Sequence, residues 1–423
     1  MNPELRRHWS VLLAAGSGVM LGISSIPAYV LGVFAGPMTR EFGWSLGAFQ
    51  FGTLVFTVGI LLSSTWIGAL CDRHGARAVA LIGMPVGACG VAALALTQAA
   101  PWSWYLLMFV ASLLGSGTVP TVWTRMVNAL FVQRRGFALG LVLSGSGLFA
   151  LFGAPLAQWL ISAWGWRAAW LGLALLPLVV GTAVVAAFFR GDDRRLAATT
   201  PSGAGAPPAV VAVAGMTHHE ALRSYRFWVM ALGFAAVTVG VGGTNANFVP
   251  MLVSKGFQAP EAAGIFGTLG VAIAFGRLAI GYVLDRVWAP GVAAAVLGLP
   301  AISAWLLVGG EVSRTDALLA AALLGFAQGA EYDFLAYMTA RYFGMAHYGR
   351  IYGRIVIPII VATAVGAFGV GWSKDVFGSF DVALPVVGLL FASGALAMLT
   401  LGRYPLAYAP PASDAPAART AAA

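Results

Sequence analysis

Residues 68–77 read GALCDRHGAR, and residues 281–286 read GYVLDR. Both have the form G-x-x-x-D-R, and they stand 213 positions apart in a chain of 423 residues. Each closes a long apolar run with charge. A chain that repeats such a junction at about half its length has two similar halves, and the composition says of what kind. Sixty per cent of the residues are hydrophobic and 9% charged, against roughly 25% charged in an ordinary soluble domain. Such a chain lacks the polar surface to cover itself in water, so it reads as an all-α integral membrane protein. Its 54 glycines fit helices that approach closely in lipid.

Apolar windows of about 20 residues, enough for a helix to cross ~30 Å of hydrocarbon, can be placed twelve times. They are 9–36, 46–70, 77–98, 102–129, 136–162, 167–189, 226–252, 261–284, 290–309, 315–341, 347–372 and 380–402. Charged residues, Pro and Gly divide them, as expected at helix ends. The first window is too long for the apolar core of a signal peptide and has no convincing cleavage site, so it is expected to stay as a helix. With both termini in the cytoplasm, the inner segments hold 17 Lys and Arg and the outer loops five, of 24 in all. That bias predicts a multi-pass protein of the cell (inner) membrane with N and C termini inside. It also assigns the net charge of +9 to anionic lipid and not to nucleic acid. Cys71 and Cys89 make no disulfide framework, and the five histidines show no metal-ligand spacing.

Residues 191–225, with TTPSGAGAPPA at 199–209, cannot bury a core and read as a flexible cytoplasmic linker. The expected organisation is a six-helix half over 1–190, the linker, a second six-helix half over 226–404, and a disordered tail over 405–423. Parallel repeats of this kind place a substrate site between the halves, near the membrane midplane.

GALCDRHGAR matches the signature G-x-L-x-D-R-x-G-x-R of the major facilitator superfamily, with Ala69, Cys71, His74 and Ala76 at the variable places. The chain resembles that superfamily. Three further stretches are similar to its monocarboxylate transporter and oxalate/formate antiporter branch: GPMTREFGWS (36–45), RRGFALGLVLSGSGLFALFGAPLAQWLISAWGWR (134–167) and ARYFGMAHYGRIYG (340–353). The resemblance implies the major facilitator fold, twelve transmembrane helices in two pseudo-symmetric halves, with transport by alternating access and no cofactor. It also implies that Asp72, Arg73, Arg77, Asp285 and Arg286 latch the cytoplasmic ends of the halves in one state. The alternative for the same residues is a topogenic and turn role. After GAP at 153–155 come Leu156, Ala157 and Gln158, without the Gly-Pro-x-x-Gly-Gly run of proton/drug antiporters. That weighs against multidrug efflux.

Once loop and interface positions are set aside, four formal charges remain in the membrane interior: Arg125, Arg277, Glu331 and Asp333. A charge at the bilayer centre costs about 2.5–3.5 kcal/mol even on mild scales, so such groups face a cavity or one another. At 1.5 Å per residue, Arg277 lies ~12 Å from Asp285, Glu331 and Asp333 lie ~15 and ~12 Å from Arg341, and Arg125 lies ~13 Å from Arg134. The expectation is one electrically neutral layer. Glu331 and Asp333 are about 200° apart around their helix and cannot both face one way. One is expected to titrate or gate, with a static ion pair as the alternative. Arg125 is expected to pair with Glu331 or Asp333 in the outward-open state and to part from them in the inward-open state.

Arg277, in FGRLAIGY (275–282), matches the eighth-helix arginine that binds substrate carboxylate in monocarboxylate transporters, and its guanidinium fork suits that chemistry. The alternative is a structural arginine satisfied by Glu331 or Asp333. The chain departs from the family at Ile273, where an acid often stands, and at Ala28, where a lysine is linked to proton coupling. No Lys occurs between Ile355 and Gly371, where oxalate antiporters place a second cation. The usual proton route and oxalate specificity are therefore both open, and Arg125 could supply the second cation. Asn245 and Asn247, which follow three glycines that could unwind the seventh helix, and Ser24, Ser25 and Tyr29 could complete a cavity or bond across helices for packing.

The reading is a monomeric secondary transporter of a small organic anion, a mono- or dicarboxylate, working as proton symporter or anion exchanger. Alternatives are a carrier of a neutral or cationic compound with Arg277 structural, and a non-transporting membrane sensor of the same fold. No catalytic cluster near an interface points to an enzyme.

Overall fold

The computed structural model describes residues 3–131, 135–190, 215–284, 286–344 and 346–405. Helices occupy every one of the twelve apolar windows. Among the described residues, eight helical stretches are long and apolar enough to cross a membrane. The other windows fall short for visible reasons. The first is broken at residues 21–25 into helices Pro3–Met20 and Ile26–Phe42. The tenth, Arg314–Phe343, carries acids within its length, and the twelfth, Ala383–Leu399, has 17 residues. The fifth and sixth run together as the 52-residue stretch Phe137–Phe188. That stretch turns back at Gly165, whose φ of 79° is open to glycine and disfavoured for other residues. Gly172 beyond the turn then packs on Leu160 before it.

The breaks in the first and fourth windows face each other. Residues 116–118 form a 3-10 turn ahead of Pro120, which opens the helix Pro120–Leu130. Ile23 N donates to Thr118 Oγ1 at 2.9 Å, bridging the two breaks. In hydrocarbon, backbone groups released by breaking a helix must find partners within the protein.

The seventh helix, Tyr225–Ser254, runs unbroken through its glycines, so the expected unwinding does not occur. The reason lies on helix Tyr348–Phe377, which packs along it. A Cβ on Gly242 would strike Thr363 O, and one on Gly366 would strike Val239 O. These glycines bring two backbones together, the usual service of small residues between apolar helices.

The main contacts between segment 3–190 and segment 215–405 come from three helix pairs. Helix Gly145–Leu175 packs on Ala259–Val283, Leu46–His74 on Tyr348–Phe377, and Ile26–Phe42 on Tyr225–Ser254. Hydrogen bonds joining the segments gather in the half of the bundle distal to the termini. Gln50 Nε2 donates to Ala246 O at 2.9 Å and to Asn247 Oδ1 at 3.2 Å. Asp375 accepts from Leu46 N at 2.8 Å and Gly47 N at 2.5 Å, so its carboxylate sits on the N-terminus of helix Leu46–His74.

Of the expected linker and tail, residues 191–214 and 406–423 lie outside the described residues. The described end of the linker is pinned. Met216 N donates to Phe343 O at 2.8 Å, and Thr217 with Glu220 forms a capping box on the short helix His218–Arg223.

Candidate functional site

Helices Ala259–Val283 and Arg314–Phe343 approach closely because Gly276 faces Phe326 O and Gly329 faces Ile273 O with no side chain between. That approach puts the carbonyl of Gly329 within reach of Arg277, whose Nε donates to it at 3.2 Å. Asp333 follows Gly329 by one turn on the same face, and its Oδ2 lies 3.6 Å from Arg277 Nε. The Arg277 side chain is nine-tenths buried. Its Nη1 is buried and has no hydrogen-bond partner, although an unspent buried donor costs roughly 1–3 kcal/mol.

Tyr29, from the broken first window, lies beside Ser146 and within electrostatic reach of Arg277. Asn245 Nδ2 donates to Gln328 Oε1 at 3.1 Å, while its Oδ1 is buried and unpartnered. Gln328 directly precedes Gly329, so Asn245 and Arg277 flank one turn of the tenth helix. Tyr332 is 38% exposed yet interacts with Tyr29 and Tyr352, so its open face looks into the bundle. Arg277, Asp333 and Asn245 of the second segment thus gather around one turn of the tenth helix, with Tyr29 of the first segment near Arg277. The arrangement offers a fixed cation with a free donor, a nearby carboxylate to compete for it, and an unused acceptor.

Glu331 faces elsewhere. It is 2% exposed and hydrogen-bonded to Thr238 Oγ1 of the seventh helix. Asn247 is fully buried in packing: Nδ2 donates to Gly243 O at 2.9 Å and Ala367 O at 3.0 Å, and Oδ1 accepts from Gln50. Ser25 Oγ donates to Val19 O at 2.6 Å within the first break.

Arg125 does not belong to the neutral layer. It pairs with Asp72, at the end of helix Leu46–His74, and not with Glu331 or Asp333. The depth estimate assumed one continuous fourth helix reaching Arg134. Instead the helix restarts at Pro120 and stops at Leu130, which puts Arg125 about 7 Å from its end at 1.5 Å per residue. Arg73 and Arg77 are exposed at the same end of the bundle. Arg286 Nη1 donates to Tyr282 O at 2.6 Å, and its guanidinium stacks over the Tyr282 ring at 3.7 Å. Asp285, expected to join the latch, lies outside the described residues.

Sequence reasoning passed over Thr238, Tyr332, Tyr352, Gln50 and Asp375. A polar residue in a mostly apolar helix was the signal available for Thr238 and Gln50. Asp375 gave none, because its partners are backbone N–H groups.

Residues 17–367 match the family model of the Major Facilitator Superfamily. The chain belongs to that superfamily, whose members are multi-pass membrane transporters. Among curated relatives, "Monocarboxylate transporter 13" of Rattus norvegicus is 27% identical over 346 residues, covering 79% of this chain and 76% of the relative. The "Oxalate:formate antiporter" of Oxalobacter formigenes is 28% identical over 358 residues, covering 82% and 81%. Among solved structures, a bacterial homologue of the human lysosomal transporter Spinster, inward-facing and unoccupied, superposes with a TM-score of 0.67 at 18% identity over 95% of this chain and 94% of that one. That likeness bears on the fold alone.

Proposed function

We propose that the chain is a secondary transporter of small organic anions, built as two six-helix halves over 1–190 and 226–404 that cross the inner membrane twelve times with both termini inside. It acts as a monomer by alternating access. The carrying observation is the buried, unpartnered Nη1 of Arg277 beside Asp333. A substrate carboxylate would take that donor in a forked contact and loosen the pair with Asp333, coupling occupancy to the packing of the eighth helix on the tenth. Relatives named for monocarboxylates, oxalate and formate support an anionic substrate. We read the contacts of Gln50, Asn247 and Asp375 as closure of the distal side, which supports an inward-open state. Asp72 is held by Arg125; Asp72, Arg73, Arg77, Asp285 and Arg286 would form the cytoplasmic latch of the outward-open state.

A second reading, with Arg277 purely structural and a neutral or cationic substrate, is favoured by its bonds to Gly329 O and Asp333. Thermal unfolding of the purified protein with L-lactate, benzoate, oxalate, glucose and tetraphenylphosphonium separates the two. A ligand at 100 times its Kd stabilises the folded state by about 2.7 kcal/mol. The anion reading expects a carboxylate alone to raise the midpoint and Arg277→Gln to abolish the rise. Stabilisation by glucose or the cation alone selects the structural reading. Uptake of the stabilising compound into proteoliposomes then distinguishes a carrier from a sensor.

A further inference from the structure

The Glu331–Thr238 contact poses a hydrogen-counting problem. Thr238 Oγ1 lies within hydrogen-bond distance of both Phe234 O, at 2.7 Å, and Glu331 Oε1. A threonine hydroxyl has one proton to give. If it goes to Phe234 O, an ionised Glu331 would face a lone pair; both bonds form together only when the carboxyl donates to Thr238. If it goes to Glu331, an ionised carboxylate would be buried at 2% exposure with one hydroxyl as its hydrogen-bond partner among the described residues. Burying a charge so poorly compensated is strongly unfavourable.

The charged and titratable groups around Glu331 offer no relief. Helix Tyr225–Ser254 presents Thr238, its ionisable groups being Tyr225 and Arg226 at the far end. Helix Ala259–Val283 supplies Arg277, already engaged by Asp333 and Gly329 O, and Tyr282, which lies under Arg286. Helix Ala289–Leu306 has no titratable residue. Helix Tyr348–Phe377 brings Tyr348 and Tyr352, stacked on each other, with Arg350 and Arg354 exposed at the same end and Lys374 and Asp375 at the other. Tyr29 lies across the cleft, and Tyr332 and Asp333 are neighbours on the same helix. Among the described residues, no cation lies within ion-pair distance of Glu331.

We propose that Glu331 is a resident proton-binding site, a neutral carboxylic acid that donates to Thr238 Oγ1 while Thr238 donates to Phe234 O, separate from the anion site at Arg277. One carboxylate of the tenth helix then answers the substrate through Arg277 and the other holds the proton. The site stands on its geometry; its use in coupling rests on the carrier reading above.

The test is infrared spectroscopy of the full-length protein in lipid at pH 7, reading the C=O stretch of protonated carboxyl groups. The expected result is a band that is lost in Glu331→Gln, kept in Asp333→Asn, and shifted to that of a weakly bonded acid in Thr238→Val. The last variant keeps the acid and decides the matter if Glu331→Gln does not fold. Absence of the band in the wild type, its survival in Glu331→Gln, or its loss in Asp333→Asn overturns the proposal. For coupling, uptake of L-lactate, benzoate and oxalate is compared with and without an inward proton gradient. The gradient is expected to accelerate the wild type and leave Glu331→Gln indifferent, and acceleration of the variant refutes the coupling role. If no compound is taken up, the carrier reading fails while the infrared result still decides the proton site.

Discussion

On the proposed carrier reading, Asp375 is the sharpest point at which to disturb the equilibrium between the two open states. Its carboxylate accepts from Leu46 N and Gly47 N at 2.8 and 2.5 Å, across the boundary between the segments. Both orphan donors belong to the first turn of helix Leu46–His74, where the helix dipole favours negative charge. In Asp375→Asn one oxygen becomes an amide donor facing a backbone N–H, and the charge disappears. The site is exposed, so the lower part of the range for charge at helix ends applies, about 1 kcal/mol, or roughly a fivefold change in a two-state equilibrium. On that reading the contact belongs to the distally closed state, so the change should favour the distally open one. Spin labels at Arg40→Cys and Phe377→Cys, with Cys71 and Cys89 replaced, would report the distal gap by pulsed dipolar spectroscopy. The expected outcome is a several-fold larger fraction at long distance in Asp375→Asn. An unchanged distance distribution would refute the reasoning that this carboxylate holds the distal side shut.

Three other perturbations follow from the packing and the loops. Gly366→Ala should lower the unfolding midpoint by the equivalent of ~1–3 kcal/mol, the usual range for overpacking, since its Cβ meets Val239 O; Gly281→Ala, with open space around it, should be neutral in the same scan. In the loop after residue 377, Lys255 donates to Asp381 at 2.8 Å and to Gly309 O. Burial alone would raise the Asp381 carboxyl, but hydrogen bonds from Lys255, Ser379 and Gly309 N–H outweigh it and hold it below the ordinary range. A depressed folded value means stability that is present above the ordinary Asp range near 4 and is lost as pH falls through the lower folded value. Thermal scans should therefore show an acid limb below about pH 4 that Asp381→Asn removes. Arg125 and Asp72 are partly exposed, so Arg125→Asp should cost under about 1 kcal/mol, and Asp72→Arg in the same chain should restore it; failure to restore the midpoint would deny the pair any energetic role.

Much of the fold was legible because lipid leaves a chain few options: apolar length, basic ends and a repeated junction locate the helices. What escaped depends on neighbours. The glycines at 240–243 are consistent locally with unwinding or with close packing, and Thr363 and Gly366, far along the chain, decide for packing. Arg125 was misplaced because its depth was counted to Arg134, whereas the helix that carries it ends at Leu130. Within the candidate site, Arg277 was readable as an unusual charge. Which of Asp333 and Glu331 lies by Arg277 was not, since it is set by Gly329 on one side and Thr238 on the other.

The two facing breaks, at 21–25 and 116–118, bear on how the first segment can move. An interrupted helix is ordinarily a place where a bundle bends, because its backbone is free to change direction. Here each interruption is stapled to the other through Ile23 N and Thr118 Oγ1. Flexing one helix alone would strand polar backbone in hydrocarbon, so the first and fourth helices should swing as a single mechanical part. In the proposed carrier, rocking is then directed away from these kinks, to the surface where Gly267 and Gly270 of the second segment meet Leu151 O and Gly147 O of the first.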